Sequence, residues 1–176
     1  VNDAQINGNV YGGGLGNSTV AANVYGLVTV NFKGGSADNV FGCNNVNGAP
    51  QCSPVTVNVD GGNIIHNIYG GANQASYTGN TIVNVGQAGN AELQVNDVFG
   101  AGKGVSSEVT GTTNVTLFTG TVEGSIYGGA EEGSVRKNAT DCTLKSAYVT
   151  VKGGTVKHSV YGGGKLGVMV GQTIVS

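Results

Sequence analysis

The sequence of 176 residues contains little charge, little proline and no tryptophan. Eight basic and ten acidic residues leave a net charge of -2, which gives no basic surface for nucleic-acid binding. No run of about 18 apolar residues occurs, so no membrane-spanning helix is expected. Only two prolines accompany the 33 glycines, and the glycines follow no triplet period, which excludes a collagen-like chain.

Glycine, valine, threonine and asparagine dominate what remains. With 39% hydrophobic residues and a small net charge, the composition argues against disorder. Valine and threonine favour strands, while glycine and asparagine favour turns. The chain begins at Val1 without an initiator methionine or a signal-like segment, which predicts a processed product or an excised fragment.

A triplet of an aliphatic residue, an aromatic residue and glycine recurs along the whole chain. Its aromatic residues are 30, 28, 30, 28 and 34 residues apart. This spacing defines an internal repeat that covers nearly the whole sequence. The six triplets are Val10-Tyr11-Gly12, Val40-Phe41-Gly42, Ile68-Tyr69-Gly70, Val98-Phe99-Gly100, Ile126-Tyr127-Gly128 and Val160-Tyr161-Gly162.

A second motif precedes most triplets and alternates valine with threonine or asparagine, a pattern typical of half-buried strands. Its central apolar residues are predicted to point inward, together with the aliphatic residues of the triplets. They are Val30, Val57, Val83, Val115 and Val149. A third, weaker apolar position follows the triplet, at Val20, Val46, Val105, Val135 and Val168.

One repeat cannot bury its own apolar residues, whereas stacked repeats bury a continuous core. The sequence therefore predicts one all-β domain over residues 1–176, a parallel β-helix (β-solenoid) of five to six coils with about 28–30 residues each. Parallel crossovers favour a right-handed winding. A β-roll or a β-prism is the alternative, because both also use short strands and glycine corners.

The aromatic residues of the triplets form a column of their own. Stacking would turn this column into a structural ladder of rings, which contributes about 0.5–1.5 kcal/mol per pair. The alternative is an exposed aromatic track that grips sugar rings. The column contains Tyr11, Phe41, Tyr69, Phe99, Tyr127 and Tyr161.

Two segments, 43–54 and 131–147, interrupt the glycine-rich background and are predicted to be loop insertions. Both follow an aromatic triplet, so both should project from one edge of the solenoid. Insertions on one face of a solenoid often form its binding face, although a tolerated surface insertion is the alternative. The second segment supplies a candidate binding loop, with Glu131, Glu132, Arg136, Lys137, Asp141 and Lys145.

The first segment contains two of the three cysteines, Cys43 and Cys52. In an oxidising compartment these two thiols could form a local disulfide, and unreacted thiols are the alternative.

The glycine run 162–167 fits a dinucleotide-binding pattern but no helix is expected after it. His66 and His158 lie three coils apart, too far to share a metal. No catalytic, cofactor or metal site is therefore predicted.

The repeats resemble the glycine-rich, VYGGG-bearing repeats of large secreted, adhesin-like surface proteins of microbes. Four segments carry the resemblance: 10–14, 68–71, 126–129 and 160–164. The resemblance implies an extracellular or cell-surface location and a structural or adhesive role, and it brings no catalytic residues.

We therefore expect a non-catalytic rod or spacer whose ends contact neighbouring copies or adjoining domains, because exposed strand edges are templates for further strands. Stacking into a fibre is one form of this contact. A host or environmental glycan or protein is a further candidate partner. The alternative function is a glycan-binding or glycan-cleaving β-helix, similar to a tailspike or a lyase, which would need clustered carboxylates.

Overall fold

The computed structural model describes residues 1–176 and consists of short strands without any helix. In particular, it has no helix that could cross a membrane. The 19 strands are β1 (Ala4–Gln5), β2 (Val10–Tyr11), β3 (Thr29–Phe32), β4 (Gly35–Ala37), β5 (Val40–Phe41), β6 (Val55–Val59), β7 (Asn63–Tyr69), β8 (Thr81–Val85), β9 (Gln94–Phe99), β10 (Glu108–Val109), β11 (Thr113–Leu117), β12 (Thr121–Val122), β13 (Ile126–Tyr127), β14 (Ser134–Val135), β15 (Lys145–Val151), β16 (Thr155–Val156), β17 (Val160–Tyr161), β18 (Val168–Met169) and β19 (Gln172–Val175).

The strands form three parallel sheets, and the chain follows the three faces in the same order in every coil, although in coils 1 to 3 the second face has isolated bridges in place of strands. The first face is a ten-stranded sheet that carries the triplets, the second face has three strands, and the third face has six. On the third face the order is β3, β6, β8, β11, β15 and β19, one strand per coil. The predicted parallel β-solenoid of about six coils is thus confirmed. We number the coils 1 to 6 by the triplet that each contains.

Glycine makes the corner between the third face and the first face of the next coil. Gly35, Gly62, Gly120 and Gly154 all have φ between 79° and 91°, a backbone conformation that other residues rarely adopt. This corner turns the chain without a long loop. Successive coils can therefore stay in register, with Val30 opposite Val57 and Val57 opposite Val83.

The core contains the two predicted columns of inward-pointing residues. The third-face column from Val30 to Val149 is at most 6% exposed. In the first-face column the four middle residues, from Val40 to Ile126, are at most 1% exposed. Val10 and Val160 at the two ends are only partly buried, because no further coil covers them.

The third, weaker apolar position does not form a core column, because Val135 is its only buried member. Val168 lies beside Ser134 and points outward, while Met169 lies beside Val135 and packs on the core. The register therefore places the inward position elsewhere than the sequence suggested. The exposed members are Val20, Val46, Val105 and Val168. The residues that do fill this inward column are Val24, Pro50, Tyr77, Val109, Val135 and Met169.

Segment 43–54 is not an insertion but the second face of coil 2. Its backbone accepts hydrogen bonds from coil 1, from the Ala22 N–H to the Asn47 carbonyl and from the Val24 N–H to the Ala49 carbonyl. Cys43 at its start is fully buried. The segment lacks the valine alternation of the other faces and therefore resembled a loop.

Segment 131–147 is only partly an insertion. β14 belongs to the second face, where Ser134 pairs with Glu108, and β15 on the third face begins at Lys145. Only residues 136–144, between these strands, leave the regular winding. They account for the 34-residue spacing between the last two triplets.

Candidate functional site

The six aromatic residues of the triplets stack on one another along the first face. Neighbouring ring centroids are 4.6–5.1 Å apart, and their planes differ by 4–8°. Phe41, Tyr69 and Phe99 are at most 1% exposed, so these rings offer no surface to a sugar. Only Tyr161, in coil 6, is largely exposed, at 47%. The geometry therefore fits the structural ladder rather than an exposed aromatic track.

A buried phenol in the middle of this ladder is held by two polar side chains. The Tyr69 hydroxyl donates to Glu131 Oε2 at 2.6 Å and accepts from Asn67 Nδ2 at 2.8 Å. Burial raises the pKa of Tyr69, and the hydrogen bond to the Glu131 carboxylate raises it further. The phenol is therefore neutral over the ordinary pH range and serves as a donor.

The same edge of the ladder brings two carboxylates to one lysine. Lys165 Nζ lies 3.3 Å from Asp97 Oδ2 and 3.7 Å from Glu131 Oε1. Desolvation is the largest single effect and acts to lower the pKa of Lys165, but the charges of Asp97 and Glu131 and the hydrogen bond to Asp97 together raise it. Asp97 Oδ1 also accepts from the Ser125 N–H at 2.7 Å.

All four carboxylate oxygens of this cluster thus have a partner within the protein. Through Tyr69, Asp97, Glu131 and Lys165 the cluster joins coils 3, 4, 5 and 6. Groups that are bound on every side favour a clamp between coils over acid–base catalysis, which requires a proton-transferring atom that reaches the substrate.

The remaining residues of the candidate binding loop do not join Glu131. Arg136 donates to Thr112 Oγ1 at 3.2 Å and has a positive φ of 52°. Lys137 Nζ lies 3.6 Å from Glu108 Oε2. The structure therefore divides the predicted loop into separate contacts instead of one site.

The other three members of that loop lie at its surface. Glu132 and Lys145 are exposed and belong to no ion pair within the chain. Asp141 accepts from both the hydroxyl and the N–H of Thr143, and the hydroxyl contact is the main cause that lowers the Asp141 pKa. This contact fixes the local turn.

Sequence reasoning missed a polar column that lies directly before each triplet. Its side-chain oxygens accept the backbone N–H of the next member, at 2.7–3.2 Å for the four pairs from Asn39 to Ser159. The alignment that revealed the triplets also aligns these residues, so the signal was present. The column contains Asn9, Asn39, Asn67, Asp97, Ser125 and Ser159.

Of the two alternatives for Cys43 and Cys52, a disulfide or unreacted thiols, the structure has the thiols, and all three cysteines are free. The Cys43 thiol packs in the core, 3.8 Å from the Gly70 carbonyl, and burial raises its pKa. Cys52 is partly buried and Cys142 is exposed. No group of three or more His, Cys, Asp or Glu side chains is arranged to hold a metal ion.

Both ends of the solenoid leave strands without a neighbour on one side. In the third face, β3 pairs only with β6, and β19 pairs only with β15. Large apolar side chains are exposed at both ends, among them Leu27 in coil 1 and Leu166 in coil 6, at 71% and 76%. The two ends of the solenoid therefore combine unpaired strand edges with exposed apolar side chains.

The geometry thus combines a closed interior, a clamped aromatic ladder and two open ends. In comparisons with known proteins, no family model, no curated protein and no solved structure matches the chain.

Proposed function

We propose that this chain is a non-catalytic structural or adhesive module of an extracellular or cell-surface protein, and that it stacks end to end. The observation that supports this proposal is that the side-chain columns run unbroken to both ends of the solenoid, where the parallel strand edges are unpaired. The location rests on the resemblance of its glycine-rich repeats to those of adhesin-like surface proteins.

A second copy placed head to tail would continue every column. Tyr11 of one copy would stack on Tyr161 of the other, and Val10 would cover Val160. β3 would pair with β19, because both edges are parallel strands of the third face. Such a contact repeats without closing on itself, so it produces filaments rather than rings.

The charges of the two ends also favour this arrangement. Residues 145–176 contain no acidic residue and four lysines, of which Lys157 and Lys165 are paired with carboxylates of earlier coils, whereas Lys145 and Lys152 make no ion pair. Coils 1 and 2, by contrast, carry Asp3, Asp38 and Asp60 against Lys33. Opposite charges at the two ends favour head-to-tail contact and disfavour contact between like ends.

Sedimentation velocity over a range of protein concentrations tests this proposal. We expect elongated oligomers that grow with concentration and dissociate in the variant Tyr161→Asp, which places a charge on the end of the aromatic ladder. The matched control is Val105→Asp, because Val105 is a 77% exposed apolar residue in coil 4, away from both ends and outside the ladder. Circular dichroism of both variants checks that the solenoid is intact.

A monomer at every concentration would overturn end-to-end stacking. Equal loss of assembly in the Tyr161 and Val105 variants would also contradict it, because the contact would then not involve the ladder end. Release of reducing sugars from polysaccharides by the intact chain would contradict the non-catalytic role.

A further inference from the structure

A shallow groove of about 610 Å³ runs across the second face, away from the aromatic ladder. It crosses coils 1 to 4, from Asn17 to Ser106, a distance of roughly 14 Å along the solenoid. Its lining contains no charged residue and no aromatic residue. The polar side chains that matter below are Asn17, Ser18, Asn23 and Gln74.

Three carboxamides in this groove are fixed through their oxygen atoms. Asn17 Oδ1 accepts from the N–H of Thr19 at 2.9 Å, and from the N–H of Val20 at 2.8 Å. Asn23 Oδ1 accepts from the Ala49 N–H at 3.0 Å, on the next coil. These bonds hold both side chains in one orientation before any ligand arrives.

Gln74 follows the same scheme in coil 3. The single proton of the Ser106 hydroxyl is shared between the Gln74 carbonyl oxygen, at 2.5 Å, and Gln74 Oε1, at 3.1 Å. No protein atom accepts from Asn17 Nδ2, Asn23 Nδ2 or Gln74 Nε2. Three preoriented NH2 groups therefore lie along one uncharged groove.

The chemistry of the groove restricts its ligand. Committed amide oxygens leave nothing to coordinate a cation, and the absence of lysine or arginine gives no attraction for an anion. A peptide strand would need an open backbone edge, but the second-face backbone already bonds from coil to coil, for example from the Gln74 N–H to the Asn45 carbonyl. A neutral ligand with many oxygen acceptors remains.

We propose that this groove binds a neutral oligosaccharide, whose hydroxyl, ring or N-acetyl oxygens accept from the three NH2 groups. The small side chains of Ala21, Ala49 and Ala75 allow a ligand to lie close to the backbone. Tyr25 does not line the groove, but it is exposed on the same side of its segment as Asn23, because alternate residues of an extended segment share a face.

The test begins with an array of neutral oligosaccharides built from hexoses and N-acetylhexosamines, probed with the whole chain. A hit is then titrated against isotope-labelled protein by NMR, where the side-chain NH2 signals of Asn17, Asn23 and Gln74 are observed directly. We expect these signals to shift together. The double variant Asn23→Asp, Gln74→Glu should bind at least about tenfold more weakly, because it replaces two donors with acceptors and keeps the bonds from Ala49 and Ser106.

Gln94→Glu is the matched control, since Gln94 is exposed on the first face and makes no side-chain hydrogen bond. This control should bind like the original chain. The absence of any hit up to millimolar sugar, shifts confined to other residues, or equal affinity in the double variant would each overturn the proposal. Binding of a peptide in the groove in place of sugar would overturn it as well.

Discussion

The glycine that closes each triplet is required by the distance between coils. Gly42, Gly70 and Gly100 each face the carbonyl oxygen of the corresponding glycine in the next coil, at a distance that leaves no room for a Cβ atom. Their φ angles lie outside the left-handed region, so the constraint is steric contact rather than backbone conformation. A single missing methyl group thus permits the stacking of whole coils.

Gly100→Ala should therefore destabilise the solenoid by about 1–3 kcal/mol, the usual cost of forcing extra atoms into a packed site. The new methyl group would meet the Gly128 carbonyl and lie 2.9 Å from Thr113 Cβ. Gly163→Ala is the control, because nothing lies within 4 Å of its added Cβ, and it should change stability by less than about 0.5 kcal/mol. Urea unfolding measures both, and equal costs would contradict the steric explanation.

Tyr69 predicts a dependence of stability on alkaline pH. Its pKa is raised in the folded chain by burial and by Glu131, while the unfolded tyrosine titrates near about 10. The contribution of the Tyr69 phenol to the free energy of unfolding is therefore complete below that pH. It is lost as the pH rises toward the pKa of the folded state, because the unfolded state releases the proton first. We expect the free energy of unfolding to fall less between about pH 8 and pH 11 in Tyr69→Phe than in the original chain.

The phenylalanine variant keeps the ring stack and removes only the hydroxyl. At neutral pH its free energy of unfolding should be lower by about 1–3 kcal/mol, since Glu131 and Asn67 each lose a hydrogen-bond partner. Other titrating groups, including the buried Cys43 thiol, remain in both proteins and cancel in the comparison. Identical pH dependence in the two proteins would show that the Tyr69 phenol is not held neutral by the fold.

At the scale of the strands, the first and third faces could be predicted because each column repeats one kind of residue. The third face alternates apolar residues with Thr and Asn, so β6 shows its burial directly in the sequence, whereas β8 departs from the pattern with a buried Thr81 and a half-buried Ile82. A further asparagine ladder lies on its outer side, where Asn58 Nδ2 donates to Asn31 and Asn84 Nδ2 donates to Asn58, both at 2.9 Å. These two faces could be predicted because the same type of residue recurs at the same position in successive coils.

The second face could not be predicted, because its inward column mixes unlike residues. Pro50, Tyr77 and Val109 fill neighbouring positions in successive coils, with the Tyr77 hydroxyl donating to the Cys52 carbonyl. No period connects such residues, and the apolar position that did recur on this face is exposed in four of its five members, among them Val46 and Val105. The second face is therefore recognised from the first and third faces on either side of it, and not from a sequence pattern of its own.

The clamp at the ladder was also beyond sequence reasoning. Lys165 is 68 residues from Asp97, and Glu131 is 62 residues from Tyr69, so each pair skips a coil. Column alignment finds contacts between adjacent coils only. Phe99 stacks between Tyr69 and Tyr127 and has no hydroxyl group. The Glu131 side chain passes this position and binds the Tyr69 hydroxyl in coil 3.

At the scale of the whole molecule, the hydrogen bonds between coils lie along the long axis of the solenoid, since all strand pairs are parallel and run across that axis. A force applied between Val1 and Ser176 therefore opens these bonds one after another instead of shearing many at once. Each coil contacts chiefly its neighbours, so stability is close to a sum over coils and their interfaces. The end coils, with half-buried Val10 and Val160, should detach first.

Single-molecule pulling through the two termini should thus release the chain in steps, each close to one coil. A repeat of 28–30 residues lengthens by roughly 95–100 Å when fully extended. The clamp of Lys165 with Asp97 and Glu131 should make the release of coil 6 require more force than the release of coil 1, and Lys165→Met should remove that difference. Release of the entire chain in one step would show that the coils unfold as a single cooperative unit, because the interfaces would then outweigh the stability of each coil alone.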